Sequence, residues 1–299
     1  MDKMDKKVIF KGCATAVITP FDSCGEVDIK EMKRIIEFQI LCGIDALVIC
    51  GTTGEAPTLT DTEHQEIIEQ CAITIDGRVP MICSTGSNDT SHAVTMSKAA
   101  VRNGADAIML VTPYYNKTSQ KGLEKSYFTI ADSIEKPIML YNVPQRTGID
   151  ISYDTYKALA KHPNIVAVKE AGTNITRTAK LINELGDTLR FYTGNDDNLI
   201  SSLACGAHGI VSVTSNILPG YIAGICNDWF EHRYEKAISN YERLYELNSL
   251  LFSDVNPIPI KAAMKMLGFG TGNLRLPLIE MTQSGKRKLR KEMQKLDII

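Results

Sequence analysis

No stretch of this chain reaches the roughly 18 consecutive apolar residues that a membrane-crossing helix requires. The N-terminus, Met-Asp-Lys-Met-Asp-Lys-Lys, is charged where a secretory leader would turn apolar. A cytoplasmic protein without membrane partners is therefore expected. An excess of one charge is also missing: 33 Lys and Arg stand against 35 Asp and Glu, for a net charge of -2 and a pI near 6.2. That balance supplies no electrostatic reason to bind nucleic acid. The eight cysteines (13, 24, 42, 50, 71, 83, 205, 226) contain no C-x-x-C pair and no histidine at ligand spacing. They read as buried, reduced thiols rather than a disulfide framework or a zinc site. The five histidines (64, 92, 162, 208, 232) are dispersed over separate segments, so a metal-dependent carbonyl chemistry lacks its ligands. No cofactor and no metal are expected. No internal repeat or low-complexity segment is present.

What is present is a regular alternation of short apolar runs and longer segments of helical period. The predicted strands are Ala14–Thr19, Ala46–Cys50, Met81–Thr85, Ala107–Thr112, Ile138–Asn142, Ile165–Lys169, Arg190–Gly194 and Gly209–Val213. Helical patterns lie between them, among them Ile29–Cys42, Asp61–Ile75, Ser91–Asn103, Gln120–Ile134, Tyr153–Lys161, Ile175–Leu185 and Asp197–Cys205. Near-continuous apolar strands belong to a parallel sheet covered by helices, and eight βα units close a (β/α)₈ TIM barrel. The competing open, doubly wound sheet would show a Gly-rich phosphate turn after its first strand, where this chain has Thr19-Pro20-Phe21-Asp22. Residues 1–226 are read as the barrel and 227–299 as a C-terminal helical extension suited to packing or oligomer contacts. The extension includes Pro257–Leu267, on which Lys261 and Lys265 read as a solvated face.

Chemistry in such barrels sits at the C-terminal strand ends. The sixth run, Ile165-Val166-Ala167-Val168-Lys169-Glu170-Ala171, ends in a lone lysine. By strand alternation Ala167 and Lys169 share a face, and the small Ala167 leaves room beside the amine. A lysine in such a run is costly to bury charged, and desolvation favours the neutral, nucleophilic amine. Taken alone, Lys169 reads first as a strand-end charge reaching solvent, so the other strand ends decide. The second runs into Gly51-Thr52-Thr53-Gly54-Glu55, two hydroxyls on a Gly-flanked turn whose free N–H groups suit a carboxylate, although an ordinary βα turn has the same composition. The fourth leads to Tyr114-Tyr115-Asn116, where a phenol can relay protons or merely cap the barrel. The fifth gives Tyr141, on the parity of Met139, and then Arg146 in a Pro-ordered loop, a carboxylate-binding fork or a surface ion pair. An amine, phenols, hydroxyls and a guanidinium at one rim point together to covalent carbonyl chemistry through a Schiff base.

These motifs, Gly51-Thr52-Thr53-Gly54-Glu55, Tyr114-Tyr115-Asn116, Tyr141-Asn142-Val143-Pro144 with Arg146-Thr147-Gly148, and Val168-Lys169-Glu170-Ala171, occur in an order and spacing that resemble the dihydrodipicolinate (4-hydroxy-tetrahydrodipicolinate) synthases over nearly the whole chain. The resemblance implies that Lys169 condenses with pyruvate and that the resulting enamine attacks L-aspartate 4-semialdehyde, in diaminopimelate and lysine biosynthesis. It implies Thr53 as holder of the pyruvate carboxylate and Tyr141, Thr52 and Tyr115 as a proton relay, Tyr115 crossing from a neighbouring subunit. Arg146 would orient the aldehyde, and Gly194 and Val211 would offer backbone carbonyls near the lysine. A homotetramer built as a dimer of dimers is also implied. The sibling pyruvate-dependent lyases, such as N-acetylneuraminate lyase or 4-hydroxy-2-oxoglutarate aldolase, share the lysine and the Gly-x-Thr-Gly-Glu turn and form the alternative. A second threonine in the turn, the Tyr-Tyr pair and Arg146 favour the synthase. One region departs from the pattern of lysine-inhibited members: Asn88, His64 and Tyr114 match, but Asp61 replaces a histidine and His92 replaces the glutamate expected to bind an effector's ammonium. Weak or absent lysine inhibition is expected.

Overall fold

The computed structural model describes residues 6–299. Eight strands follow one another in chain order around a closed barrel: β1 (Gly12–Ala16), β2 (Ala46–Ile49), β3 (Met81–Ser84), β4 (Ala107–Val111), β5 (Ile138–Asn142), β6 (Ile165–Glu170), β7 (Arg190–Thr193) and β8 (Gly209–Ser212). Their pairings are parallel. The strands are buried almost throughout, as expected of a sheet lined by side chains inside and helices outside. The helices are α1 (Ile29–Leu41), α2 (Asp61–Ile75), α3 (Thr90–Arg102), α4 (Gln120–Ala131), α5 (Pro144–Thr147), α6 (Tyr153–Leu159), α7 (Ile175–Leu185), α8 (Leu199–Ala204), α9 (Pro219–Phe230), α10 (Tyr234–Glu242), α11 (Tyr245–Leu251), α12 (Ile258–Met266) and α13 (Gln283–Lys295). Among the described residues no helix is long and apolar enough to cross a membrane.

Two compact units can be distinguished along the chain. The first comprises Pro80–Val211 and the segment up to Gly12. Its core is made by the helix-facing and barrel-facing residues of β3 to β7, with Ile108, Leu110, Ile138, Leu140, Val168 and Phe191 all buried. Burial of each such side chain stabilises by roughly 1.5–3 kcal/mol. Lys6 is tied into this unit through its ammonium, which donates to the carbonyls of Ala160, His162 and Ile165 at 2.5, 3.0 and 2.6 Å. Gly209 opens β8 at φ 145°, and a Cβ there would collide with the Gly12 carbonyl. Only glycine permits that approach.

The second unit comprises Cys13–Val79 and Ser212–Ile299. Here α2 starts with a capping box, the Thr60 hydroxyl accepting from the Glu63 N–H while the Glu63 carboxylate accepts from the Thr60 N–H. The C-terminal helical extension is interrupted: Arg233–Phe252 is divided between two helices, α10 and α11, and the stretch after Pro277 becomes helical only at Gln283. Among the described residues no cysteine is in a disulfide; Cys13, Cys50, Cys71, Cys83 and Cys226 are buried as expected, but Cys205 is half-buried and Cys24 and Cys42 are exposed. Cys24 follows Asp22 in a surface turn and Cys42 ends α1, so apolar neighbours in sequence do not bury either one.

Candidate active site

In the first unit the end of β6 presents Lys169 with its side chain buried, 5% exposed. Register decides which way it points. Met139 and Tyr141 of β5 pair with Ala167 and Lys169, while Asn142 pairs with Glu170. Glu170 turns to the helices, where Tyr156 of α6 and Arg177 of α7 reach it, so Lys169, one residue earlier, projects from the opposite face into the barrel. Its Nζ lies 4.3 Å from the centre of the Tyr141 ring. Gly194, just past β7, packs against the lysine stem: a Cβ at this position would stand 2.8 Å from Lys169 Cε and 2.9 Å from Ala171 Cβ. The Gly194 N–H donates to the Glu170 carbonyl at 2.7 Å, and Val211 is fully buried in β8.

The end of β4 supplies a second group. Thr112 is buried and donates to the Thr147 hydroxyl at 2.8 Å, tying the strand to α5. That single helical turn is started by Pro144 and closed by Gly148 at φ 69°, whose N–H bonds the Pro144 carbonyl at 2.8 Å. Arg146 is exposed on it. The Pro-ordered loop predicted around Arg146 is thus a helical turn, because proline pre-sets φ for the first helical position. Tyr115 takes a left-handed backbone, φ 68°, and is 93% exposed, whereas Tyr141 is buried. Within one chain these two phenols therefore sit in opposite environments.

The second unit carries the Gly51–Glu55 turn. Both of its flanking non-glycine residues, Cys50 and Glu55, are held at φ 54°. Such backbones cost energy and collect at functional loops. The N–H groups of Gly54, Glu55 and Ala56 are used inside the turn, donating to Gly51, Thr52 and Gly51 carbonyls at 3.1, 3.1 and 3.3 Å. The amides of Gly54 and Glu55 thereby drop out of the donors expected along the turn. Thr53 is buried and its hydroxyl accepts from Asn256 Nδ2 at 3.0 Å. Thr52 is half-buried.

What holds this turn was misread from the sequence. Lys261 is not on a solvated face: it is 1% exposed, its ammonium bonds Glu55 Oε1 at 2.5 Å, and it lies 4.1 Å from the centre of the Phe21 ring. Burial pulls it down to about 8, against the attraction of Glu55. The other Glu55 oxygen accepts from the Arg275 N–H at 3.1 Å. Lys265, one turn later, is exposed as expected. Helical spacing places both lysines on related faces but cannot reveal a carboxylate 206 residues away.

Behind Lys169 lies a polar cluster that the motif reading also missed. Asn142, Glu170, Tyr156 and Arg177 converge between β5, β6, α6 and α7. The available signal was an asparagine and a glutamate, each one residue beyond a candidate site residue at the end of an otherwise apolar run. Burial, and then Glu170, push the Tyr156 phenol well above its ordinary value, so it remains a hydrogen-bond donor. Burial works against the Arg177 charge, but Glu170, Tyr156 and Asp150 outweigh it and hold the guanidinium above its usual value.

A family profile described as the dihydrodipicolinate synthetase family matches residues 9–296. The 4-hydroxy-tetrahydrodipicolinate synthase of Acetivibrio thermocellus is 44% identical over 294 residues, 98% of this chain and 100% of the relative. Among solved structures, the chloride-inhibited dihydrodipicolinate synthase of Acinetobacter baumannii complexed with pyruvate superimposes with a TM-score of 0.95 at 38% identity, covering 98% of this chain and 100% of that one. A dihydrodipicolinate synthase described as a monomeric variant gives the same TM-score at 33% identity, with 97% and 98% covered.

Proposed function

We propose, from the premise that this chain belongs to the dihydrodipicolinate synthetase family, that it condenses pyruvate with L-aspartate 4-semialdehyde to 4-hydroxy-tetrahydrodipicolinate through a Schiff base on Lys169. The observation that carries the reading is the lysine itself, buried at the end of β6 and held between the Tyr141 ring and Gly194. A buried amine kept in one place against a phenol is prepared to act as a nucleophile.

The amine of Lys169 adds to the pyruvate ketone and the carbinolamine loses water to give the imine. Loss of a methyl proton yields the enamine, whose carbon attacks the aldehyde of the second substrate and forms the new C–C bond. The amino group of that substrate then displaces Lys169 from the imine carbon, closing the ring and restoring the free amine. One water is lost overall. Thr53 is assigned to the pyruvate carboxylate, and Tyr141, Thr52 and Tyr115 to the proton transfers. Arg146 is assigned to the carboxylate of the aldehyde, and the Gly194 and Val211 carbonyls to the surroundings of the amine. The near-complete exposure of Tyr115 suits delivery to a neighbouring copy, and we assign a tetramer built as a dimer of dimers, with residues 227–299 as an appended helical region. The protein is assigned to the cytoplasm and to lysine and diaminopimelate biosynthesis.

Borohydride reduction in the presence of pyruvate, followed by peptide mass analysis, tests the assignment. A reduced pyruvyl adduct is expected on the peptide containing Lys169 and absent from Lys169→Ala, which should remain folded. An adduct on any other peptide overturns it. A coupled assay with aspartate semialdehyde against N-acetylneuraminate and 4-hydroxy-2-oxoglutarate then separates synthase from lyase.

A further inference from the structure

Lys169 and Tyr141 are register partners, and so are the residues that follow them, Glu170 and Asn142. The first pair faces into the barrel and the second faces the helices, where almost every polar atom is engaged. The Glu170 carboxylate accepts from Asn142 Nδ2 at 2.9 and 3.2 Å, from the Gly172 N–H at 2.8 Å, from the Tyr156 hydroxyl at 3.2 Å and from Arg177 Nη1 at 3.0 Å. Asn142 donates further to Asp150 Oδ1 at 2.8 Å and accepts from the Ile151 N–H at 3.2 Å. Arg177 completes the frame, donating to the Ile151 carbonyl at 2.5 Å and pairing with Asp150 at 3.0 Å. Its own placement is local: Asn174 caps α7 by accepting from the Arg177 N–H at 3.0 Å, which puts the guanidinium on the first turn, next to the end of β6.

Burying a carboxylate at 2% exposure is expensive, and an apolar residue would fill the same space at no electrostatic cost. A fully satisfied polar cluster of this kind instead fixes one arrangement of the elements that meet at it. We propose that Glu170, oriented by Arg177 and Asn142, is the positioning residue of the nucleophile: by locking the ends of β5 and β6 from the helix side, it sets the placement of Lys169 against Tyr141 on the barrel side. The inference deepens the Schiff-base reading and rests on it. Glu170 does not touch the reacting atoms, so its effect passes through the backbone it shares with Lys169. Chemistry of this type needs reacting groups held to about 0.5 Å, and a misplacement near 1 Å costs roughly 10²-fold.

The test compares the wild-type protein with Glu170→Gln, Glu170→Asp and Arg177→Gln, each well below its melting temperature. The readouts are the rate of borohydride trapping with pyruvate at Lys169, and kcat and KM for pyruvate separately. Glutamine places an NH₂ group among donors and cannot satisfy them all, so Glu170→Gln should slow trapping and kcat by about 10- to 100-fold. KM should change much less. Glu170→Asp keeps the charge and should recover part of the rate, while Arg177→Gln should shift the same quantities by a smaller factor. If Glu170→Gln does not fold, Arg177→Gln, altered on the half-exposed side of the cluster, decides the matter by the same readouts. Folded variants that melt earlier but trap pyruvate at the wild-type rate overturn the proposal and leave the cluster a purely structural device. Absence of trapping in the wild type defeats the underlying Schiff-base reading instead, so the two failures are distinguishable.

Discussion

The Lys261–Glu55 pair gives the sharpest energetic prediction. Both side chains are essentially excluded from solvent, at 1% and 0% exposure, and the ammonium meets the carboxylate at 2.5 Å. Removal of one partner strands a buried charge, which costs about 3–5 kcal/mol. For a chain of this size each kcal/mol moves the melting temperature by about 2 °C, so Glu55→Gln or Lys261→Met should melt roughly 6–10 °C lower. The double variant removes both charges, and most of that loss should be recovered, giving a coupling energy of about 5 kcal/mol or more in the double-mutant cycle. The pH dependence supplies a second, independent check. With Glu55 in place burial already draws Lys261 down from 10.5 to about 8, and loss of the carboxylate must draw it lower still. Between that lowered value and 10.5 the unfolded chain binds more protons than the folded one, so stability rises with pH. Glu55→Gln should therefore gain stability between pH 7 and pH 8, a window below the wild type's own rise, which begins near 8. Thermal melts followed by circular dichroism at several pH values measure both effects. Additive losses in the double variant, or a gap between Glu55→Gln and wild type that does not narrow as pH rises, would refute the reasoning.

Three further outcomes follow from the geometry. Gly194→Ala places a methyl group 2.8 Å from Lys169 Cε, so the lysine must shift, and borohydride trapping with pyruvate should fall by about 10- to 100-fold; retention of the wild-type trapping rate would remove Gly194 from the site. The Arg275 guanidinium beside Glu63 holds that carboxyl down to about 2, so its contribution to stability is complete above 4.5 and lost as the pH falls toward 2. Melts between pH 2 and 6 should show this acid-side loss in the wild type, and Glu63→Gln should lack that component. His92 stands where the resemblance places a glutamate for an effector's ammonium, and Asp61 where it places a histidine, so inhibition by lysine should be weak or absent; strong inhibition by submillimolar lysine in the coupled assay would show the substitutions to be immaterial.

The one-dimensional pattern determined a large part of this protein. Eight apolar runs of strand length, separated by helical periods, describe the barrel because a parallel strand buried on both faces leaves an almost unbroken apolar record. Ala167 and Lys169 share a face by parity alone, and β6 pairs them with Met139 and Tyr141 on the same rule. Tertiary structure decided what period and parity do not encode, namely which group stands opposite a charge. Lys261 looks solvated along its helix, yet it is buried because Glu55, 206 residues earlier, and Phe21 meet it. Asn142 and Glu170 look like strand-end polar residues, and only the packing of α6 and α7 turns them into a closed cluster behind the nucleophile. A charge can be buried only where distant partners satisfy it, and those partners are found by folding rather than by sequence spacing.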